Sequence, residues 1–294
     1  MRGHPDAATL MRASGLESPD AAVLAALALG VPREWLLAHD RDPLDANRVL
    51  AILAVFELRR SGLPVAYLCG EREFHGHAFR VTRDTLIPRP ETEGLVDCAI
   101  AAASDLVARA ASAAGCARGE QSPAGGVRIL DLGTGSGAIA ISMALALAGR
   151  VPGADLCAVE RSAHALVVAR HNADRLGARI EFIEGDWFEP LGDRRFDLIV
   201  SNPPYVASGD PHLSEGDLRF EPETALAAGV DGLAALRDIV TGAPAHLASG
   251  GTLLLEHGHD QGAAVRALLF DAGFGAVRTV PDLAGIERVS GGML

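Results

Sequence analysis

The sequence predicts an α/β fold built on a doubly wound, mostly parallel sheet and preceded by a small helical N-terminal domain. Three observations predict it. Beyond about Pro88, short apolar runs alternate with helical patterns, as βαβ units do. A glycine-rich turn, Gly133–Gly137, directly follows the first of those runs and opens an apolar helix. Roughly the first 60 residues carry helical periodicity and no strand pattern.

Each element has its local reason. Ser18-Pro19-Asp20 reads as a helix start, with serine as the cap and proline in the first turn, and Gly30 as the stop. A stronger helix is expected from Asp45 to Ser61. Val49, Leu50, Ile52, Leu53 and Phe56 mark its buried side, Arg48, Glu57 and Arg59 its wet side, and Gly62 and Pro64 end it. From Val65 to Thr82, glycines and scattered aromatics suggest a hairpin joining two domains. The expected organisation is a helical domain over residues 1–64, a hairpin linker over 65–88 and a sheet-bearing domain over 89–294. In that last domain the expected strands are Val127–Leu132, Asp155–Glu160, Arg179–Glu184, Phe196–Ser201 and Gly251–Glu256. The small, turn-forming residues of Gly115–Gly126 read as a mobile surface loop ahead of the first strand.

Composition narrows the classes. A chain of 294 residues with 49% hydrophobic content has room for a large core and a small one. A net charge of -12 argues against holding nucleic acid by neutralising phosphates. All 26 cationic residues are arginine, which reads as a genomic bias. Cys69, Cys98, Cys116 and Cys157 form no CxxC pair and are expected as free thiols of a reducing cytosol. No leader-like start and no run of about 18 apolar residues is present, so a cytoplasmic protein without a membrane span is expected. His75-Gly76-His77 and His257-Gly258-His259 lack further ligands at a metal-site spacing, and no metal is expected.

Three motifs carry chemistry. In Asp131-Leu132-Gly133-Thr134-Gly135-Ser136-Gly137 the glycines let a ligand approach the backbone, at the carboxyl end of a strand where doubly wound folds bind ligands. The spacing is GxGxG, without the GxGxxG of a pyrophosphate site or the Gly-Lys-Ser/Thr of a triphosphate site, which favours a ligand without phosphates. Glu160, closing the second strand, can accept from both hydroxyls of a ribose, and adenosine without phosphate fits both facts. After the third strand, Asp186 can accept from an exocyclic amine and Trp187 can cover a flat ring. The third motif is Asn202-Pro203-Pro204-Tyr205, after the strand FDLIVS, where two prolines fix two φ angles and stiffen the loop. The Asn202 side-chain oxygen and the Pro203 carbonyl are two acceptors suited to the two hydrogens of a planar NH2 group, and Tyr205 can cover its face. A planar nitrogen is a poor nucleophile, so holding it in place is where catalysis can come from.

The glycine turn, the acidic second strand and NPPY together resemble class I methyltransferases that modify planar nitrogens. Further segments follow in order: AYLCGEREFHG (66–76), TLIPRPETE (85–93), GDWFEPL (185–191), EPETAL (221–226), DGL (231–233), LLLEHG and DLAGIERV. With these the chain is similar to the bacterial release-factor glutamine methyltransferases from about Ser18 to its end. The resemblance implies a seven-stranded, mostly parallel sheet of the class I methyltransferase fold over 89–294, with residues 1–64 binding the partner. It implies methyl transfer from S-adenosylmethionine to the glutamine nitrogen in the Gly-Gly-Gln motif of class I peptide chain release factors, giving N5-methylglutamine. By the same resemblance Gly133, Thr134, Gly135, Ser136 and Gly137 would adjoin the methionine part of the cofactor, Glu160 the ribose and Trp187 the adenine. Asn202, Pro203, Pro204 and Tyr205 would bind the glutamine amide, with Asn202 also close to the cofactor. Glu160 departs from the family, where aspartate is usual. Neighbouring readings are a glutamine methyltransferase for a ribosomal protein, a nucleic-acid adenine or guanine amino-methyltransferase, which the acidic charge disfavours, and a non-catalytic cofactor-binding protein, which the intact NPPY disfavours. Arg89, Glu91 and Glu93 could line the cleft or cap the long helix that follows, and Glu256 could touch the cofactor, brace the NPPY loop or serve structure alone; none is assigned a role.

Overall fold

The computed structural model describes residues 5–116, 126–151 and 153–294, so positions 117–125 of the expected Gly115–Gly126 loop lie outside the described residues. The chain divides into two compact units, one comprising residues up to Arg72 together with Ser214–Phe220, the other Glu73–Leu213 and Glu221–Leu294.

Among its described residues the first unit holds the α-helices α1 (Ala7–Ala13), α2 (Ser18–Leu29), α3 (Arg33–Ala38), α4 (Ala46–Arg60) and α5 (Val65–Cys69). Asp6 and Asp45 cap α1 and α4 by accepting from the backbone N–H three residues on, each worth about 1 kcal/mol. The α2 cap is Glu17 rather than Ser18, which lies inside the helix, while Gly30 ends it in the left-handed region as expected. The core is Leu24, Ala25, Leu36, Ile52 and Phe56, all essentially buried. Leu50 and Leu53 do not share it: they are 63% and 39% exposed, because the buried stripe of α4 runs through Ile52 and Phe56. The Val65–Cys69 stretch is a helix, not part of a hairpin. Tyr67 and Leu68 N–H groups donate to the Pro64 carbonyl, and Val65 and Leu68 pack on the helical core, so this unit reaches Arg72 instead of ending at residue 64. Arg59 also ties Ser214–Phe220 to it, bonding Asp217 at 2.6 Å and Asp20 at 3.0 Å.

A short hairpin, β1 (Glu71–Phe74) and β2 (His77–Arg80), turns at His75-Gly76, both with positive φ. Two such residues in succession match the twist that a two-residue hairpin needs.

In the second unit the order is α6 (Glu93–Cys116), β3 (Arg128–Leu132), α7 (Ala138–Leu147), β4 (Asp155–Glu160), α8 (Ala163–Leu176), β5 (Glu181–Glu184), β6 (Phe196–Ser201), α9 (Ala234–His246), β7 (Leu247–Glu256), α10 (Gly262–Asp271), β8 (Gly275–Pro281) and β9 (Glu287–Met293). The seven strands lie in the order β5-β4-β3-β6-β7-β9-β8, parallel except for β9. Side chains alternate between two faces. Ile129, Leu198, Val200 and Leu254 pack with Phe74, Phe79, Leu95 and Ile141 on one, and Leu130, Leu132, Val159, Ile199 and Leu255 pack with Leu236 and Ile239 on the other. A sheet covered on both faces explains why its strands read as nearly unbroken apolar runs. The chain winds from β3 outward through β4 to β5, then returns to pair β6 on the other side of β3. The carboxyl ends of β3 and β6 therefore flank the point where the strand order reverses, the place such sheets bind ligands.

Candidate active site

Strand register sets the site. Leu132 is paired with both Val159 and Ser201, Glu160 with Glu184, and Ser201 with Leu255. The next residues, Gly133, Gly185, Asn202 and Glu256, thus leave the sheet along one edge together with Glu160. The Ser201 hydroxyl locks this edge by donating to the Leu132 carbonyl at 2.7 Å.

The glycine turn is held from two sides. Gly133 and Thr134 donate to the Val159 carbonyl at 2.9 and 3.1 Å. Gly133, Gly135 and Gly137 all have positive φ, from 56° to 83°, where a side chain is strained. A Cβ on Gly137 would lie 2.7 Å from Ile141 Cδ1, so that glycine serves packing of α7, whereas nothing would crowd one on Gly135, which faces open space. Glu160 Oε2 accepts from Gly135 N at 2.9 Å and its Oε1 from Ser162 N at 2.8 Å. One side chain thereby fixes two loops, and each oxygen keeps a lone pair for a ligand hydroxyl. The Trp187 indole lies over Gly133, where a Cβ would come within 3.3 Å of it, and Trp187 itself has a φ of 41°. A non-glycine residue held there costs on the order of 1 kcal/mol, which the fold around the ring offsets.

These residues open on a cleft of about 770 Å³ lined by Gly133, Gly135, Glu160, Asp186, Trp187, Asn202 and Pro204. Further wall comes from Arg83–Leu86, Pro222–Ala225 and Ala227–Gly229, of which the first two overlap the TLIPRPETE and EPETAL segments; the sequence predicted no place in the site for these residues. Thr134, Ser136 and Gly137 sit behind the surface: Thr134 and Ser136 are buried, and the Thr134 hydroxyl donates to Asp131 Oδ2 at 2.6 Å. Burial pushes the Asp131 carboxyl up to about 7, against the pull of that hydroxyl. Pro203 is buried beneath the loop. Tyr205 does not line the cleft either. Its hydroxyl donates to Glu256 Oε1 at 3.3 Å, and burial, reinforced by that carboxylate, raises its pKa.

The loop is braced by residues far away in sequence. Asn202 Nδ2 donates to Thr92 Oγ1 at 3.1 Å, and Gln261 Nε2 donates to the Tyr205 carbonyl at 3.0 Å. The buried Glu221 accepts from Ile87 N at 2.9 Å and from the Arg89 guanidinium, which fixes the TLIPRPETE segment beside the cleft. Glu93 accepts from His75 N at 2.9 Å, a structural role. His257 is buried and engages Gly258 O and Ser290 Oγ through its two ring nitrogens. Among the described residues, no three His, Cys, Asp or Glu side chains converge as metal ligands.

The cleft's charge speaks to its ligand. Asp84, Glu160, Asp186, Glu223 and Asp238 face it against Arg83 and Arg161, and Arg161 lies 3.8 Å from Asp186. An acidic cleft beside a bare glycine turn suits a cationic ligand without phosphates.

Comparison with known proteins gives concordant findings. The model of the methyltransferase small domain matches residues 120–215, and that of the PrmC N-terminal domain residues 6–70. The chain is 49% identical to the release factor glutamine methyltransferase of Bordetella pertussis, over 97% of this chain and 98% of that one. It is 50% identical to that of Burkholderia pseudomallei, over 98% and 96%. A solved release-factor-specific protein-(glutamine-N5) methyltransferase from Alicyclobacillus acidocaldarius is 32% identical, covering 73% of this chain and 98% of that one, with a TM-score of 0.41.

Proposed function

The chain belongs to the release factor glutamine methyltransferases, and from that premise we propose that it methylates the glutamine side-chain nitrogen in the Gly-Gly-Gln motif of class I peptide chain release factors, giving N5-methylglutamine. The methyl donor is S-adenosylmethionine. The observation that carries the reading is the single sheet edge that gathers the glycine turn, Glu160, Trp187 and Asn202 around one acidic cleft.

The residues present fit S-adenosylmethionine, whose sulfonium and ammonium groups are positive and which has no phosphate. Gly133–Gly137 would hold its methionine part, Glu160 its ribose and Asp186 with Trp187 its adenine. When bound, it supplies an electrophilic methyl group. The protein's task is the acceptor. Asn202 Oδ1 and the Pro203 carbonyl take the two hydrogens of the glutamine amide, and the buried Pro203 and braced Tyr205 keep both acceptors from shifting. A delocalised amide lone pair gains most from such positioning, since an oriented encounter can replace several kcal/mol of lost freedom. The helical unit, with its exposed Trp35, Leu37, Leu50 and Leu58, is the proposed holder of the release factor, and the reaction is proposed to be cytoplasmic. No helix among the described residues is long and apolar enough to cross a membrane.

The test is transfer of label from methyl-labelled S-adenosylmethionine to a release factor, a ribosomal protein and RNA side by side. Label on the release factor alone, lost when its Gly-Gly-Gln glutamine is changed, supports the proposal. Label on either of the others overturns it.

A further inference from the structure

We infer that Thr92 and Glu256 are positioning residues that set the orientation of the Asn202 amide, turning its nitrogen to the protein and its oxygen to the substrate. The inference deepens, and rests on, the function proposed above.

Asn202 Nδ2 donates to Thr92 Oγ1 at 3.1 Å, and Thr92 is 4% exposed. A hydroxyl that accepts there still has its own hydrogen to place. Beside it stands Glu256, 1% exposed at the end of β7, whose ionised form the Thr92 hydroxyl favours. Its Oε1 accepts from the Tyr205 hydroxyl at 3.3 Å. An ionised carboxylate is an acceptor only, so it draws toward itself the hydrogen that the Thr92 hydroxyl has left to place. The Thr92 oxygen is then left to accept from Asn202, and the asparagine is left with Oδ1 free for the substrate. Reversed, its NH2 would meet the substrate's NH2, donor against donor. A symmetric-looking side chain acquires one productive orientation from a carboxylate it does not touch.

The same geometry has a pH signature. Glu256 Oε2 is buried without a hydrogen-bond partner, and burial pushes the carboxyl up to about 7. The groups facing it are Thr92 and Tyr205, Arg288 of β9, which favours its charge, and Glu91, which opposes it. Below about pH 7 the carboxyl gains a hydrogen to donate, and the direction of the chain is no longer imposed.

The experiment uses the full chain with a whole release factor. Thr92→Val should lose about ten- to hundredfold in kcat/KM, as for one buried directed hydrogen bond, while cofactor affinity measured by calorimetry holds. Thr92→Ser, which restores the hydroxyl, should recover most of it. Glu256→Gln should lower the rate and erase the fall in rate on the acid side of neutrality. Wild-type rate in Thr92→Val, or equal impairment in Thr92→Ser and Thr92→Val, overturns the inference, as does an unchanged pH profile in Glu256→Gln. Should Thr92→Val fail to fold, the Glu256→Gln profile decides. If the wild-type chain labels no release factor, the functional proposal fails instead. The relay is then judged by nuclear magnetic resonance: Asn202 side-chain NH2 protons slow to exchange in wild type and in Thr92→Ser but fast in Thr92→Val and Glu256→Gln support it, and identical exchange in all four refutes it.

Discussion

Replacing Glu160 by glutamine swaps one oxygen for an NH2 group and leaves the shape almost unchanged. In the wild type the two oxygens accept from Gly135 N at 2.9 Å and Ser162 N at 2.8 Å. Glutamine keeps an acceptor for one of these and turns a donor toward the other. A hydrogen bond to a charged group contributes about 1.5–3 kcal/mol, and the half-buried setting argues for the low end, so the change is worth about 2 kcal/mol. Gly135 already sits at a φ of 56° and depends on that contact to present the turn. The loss should therefore appear in cofactor binding, as a roughly thirtyfold rise in Kd for S-adenosylmethionine. Calorimetric titration measures it, with a thermal melt to separate binding from folding. Glu160→Asp keeps the charge but not the reach to both loops, and should fall between wild type and Glu160→Gln. Wild-type affinity in Glu160→Gln, or weaker binding by Glu160→Asp than by Glu160→Gln, would refute the reasoning.

Asn202→Ala removes the amide's acceptor but leaves the glycine turn, Glu160 and Trp187, so turnover should fall by about a hundredfold or more with cofactor affinity within a few-fold of wild type; equal losses in both would show that Asn202 serves the cofactor instead. Asp131 titrates near 7 in the folded chain, above its ordinary value of 3.8. Its protonation therefore stabilises the fold fully below about pH 4, and that contribution is lost as pH rises through about 7. Asp131→Asn, which still accepts from Thr134, should flatten the fall in stability between about pH 4 and pH 7 by up to roughly 4 kcal/mol, read from denaturant melts; parallel curves for the two proteins would contradict it.

Much of this was legible in the sequence because it was local. Asp155–Glu160 and Phe196–Ser201 were read to the residue, since each is an apolar run stopped by a polar residue at the ligand edge. Gly133, Gly135 and Gly137, closely spaced after a strand, read as a tight turn open to a ligand, and all three adopt positive φ. What was missed is long-range. Nothing near Thr92 marks it as the partner of Asn202, 110 residues away, and Glu256 read as a strand-ending carboxylate able to touch the cofactor or brace the NPPY loop, with no sign of its neighbour Thr92. Leu50 looked buried because periodicity gives a stripe but not its width, and α4 buries a narrow one. Val65–Cys69 looked like a strand because its aromatic and glycine neighbours outweigh, in sequence, the contacts with the helical core that hold it as a helix. The strands β8 and β9 were not delimited from the sequence; in β9 a Cβ on Gly291 would lie 2.4 Å from the Leu253 carbonyl oxygen, so glycine is what lets that strand pack.

The most direct measurement is mass spectrometry of a release factor incubated with this protein and S-adenosylmethionine. A single methyl group on the side-chain nitrogen of the Gly-Gly-Gln glutamine, absent with Asn202→Ala, is the expected result. An unmodified glutamine in the presence of bound cofactor, or a methyl group on any other residue, would contradict the account.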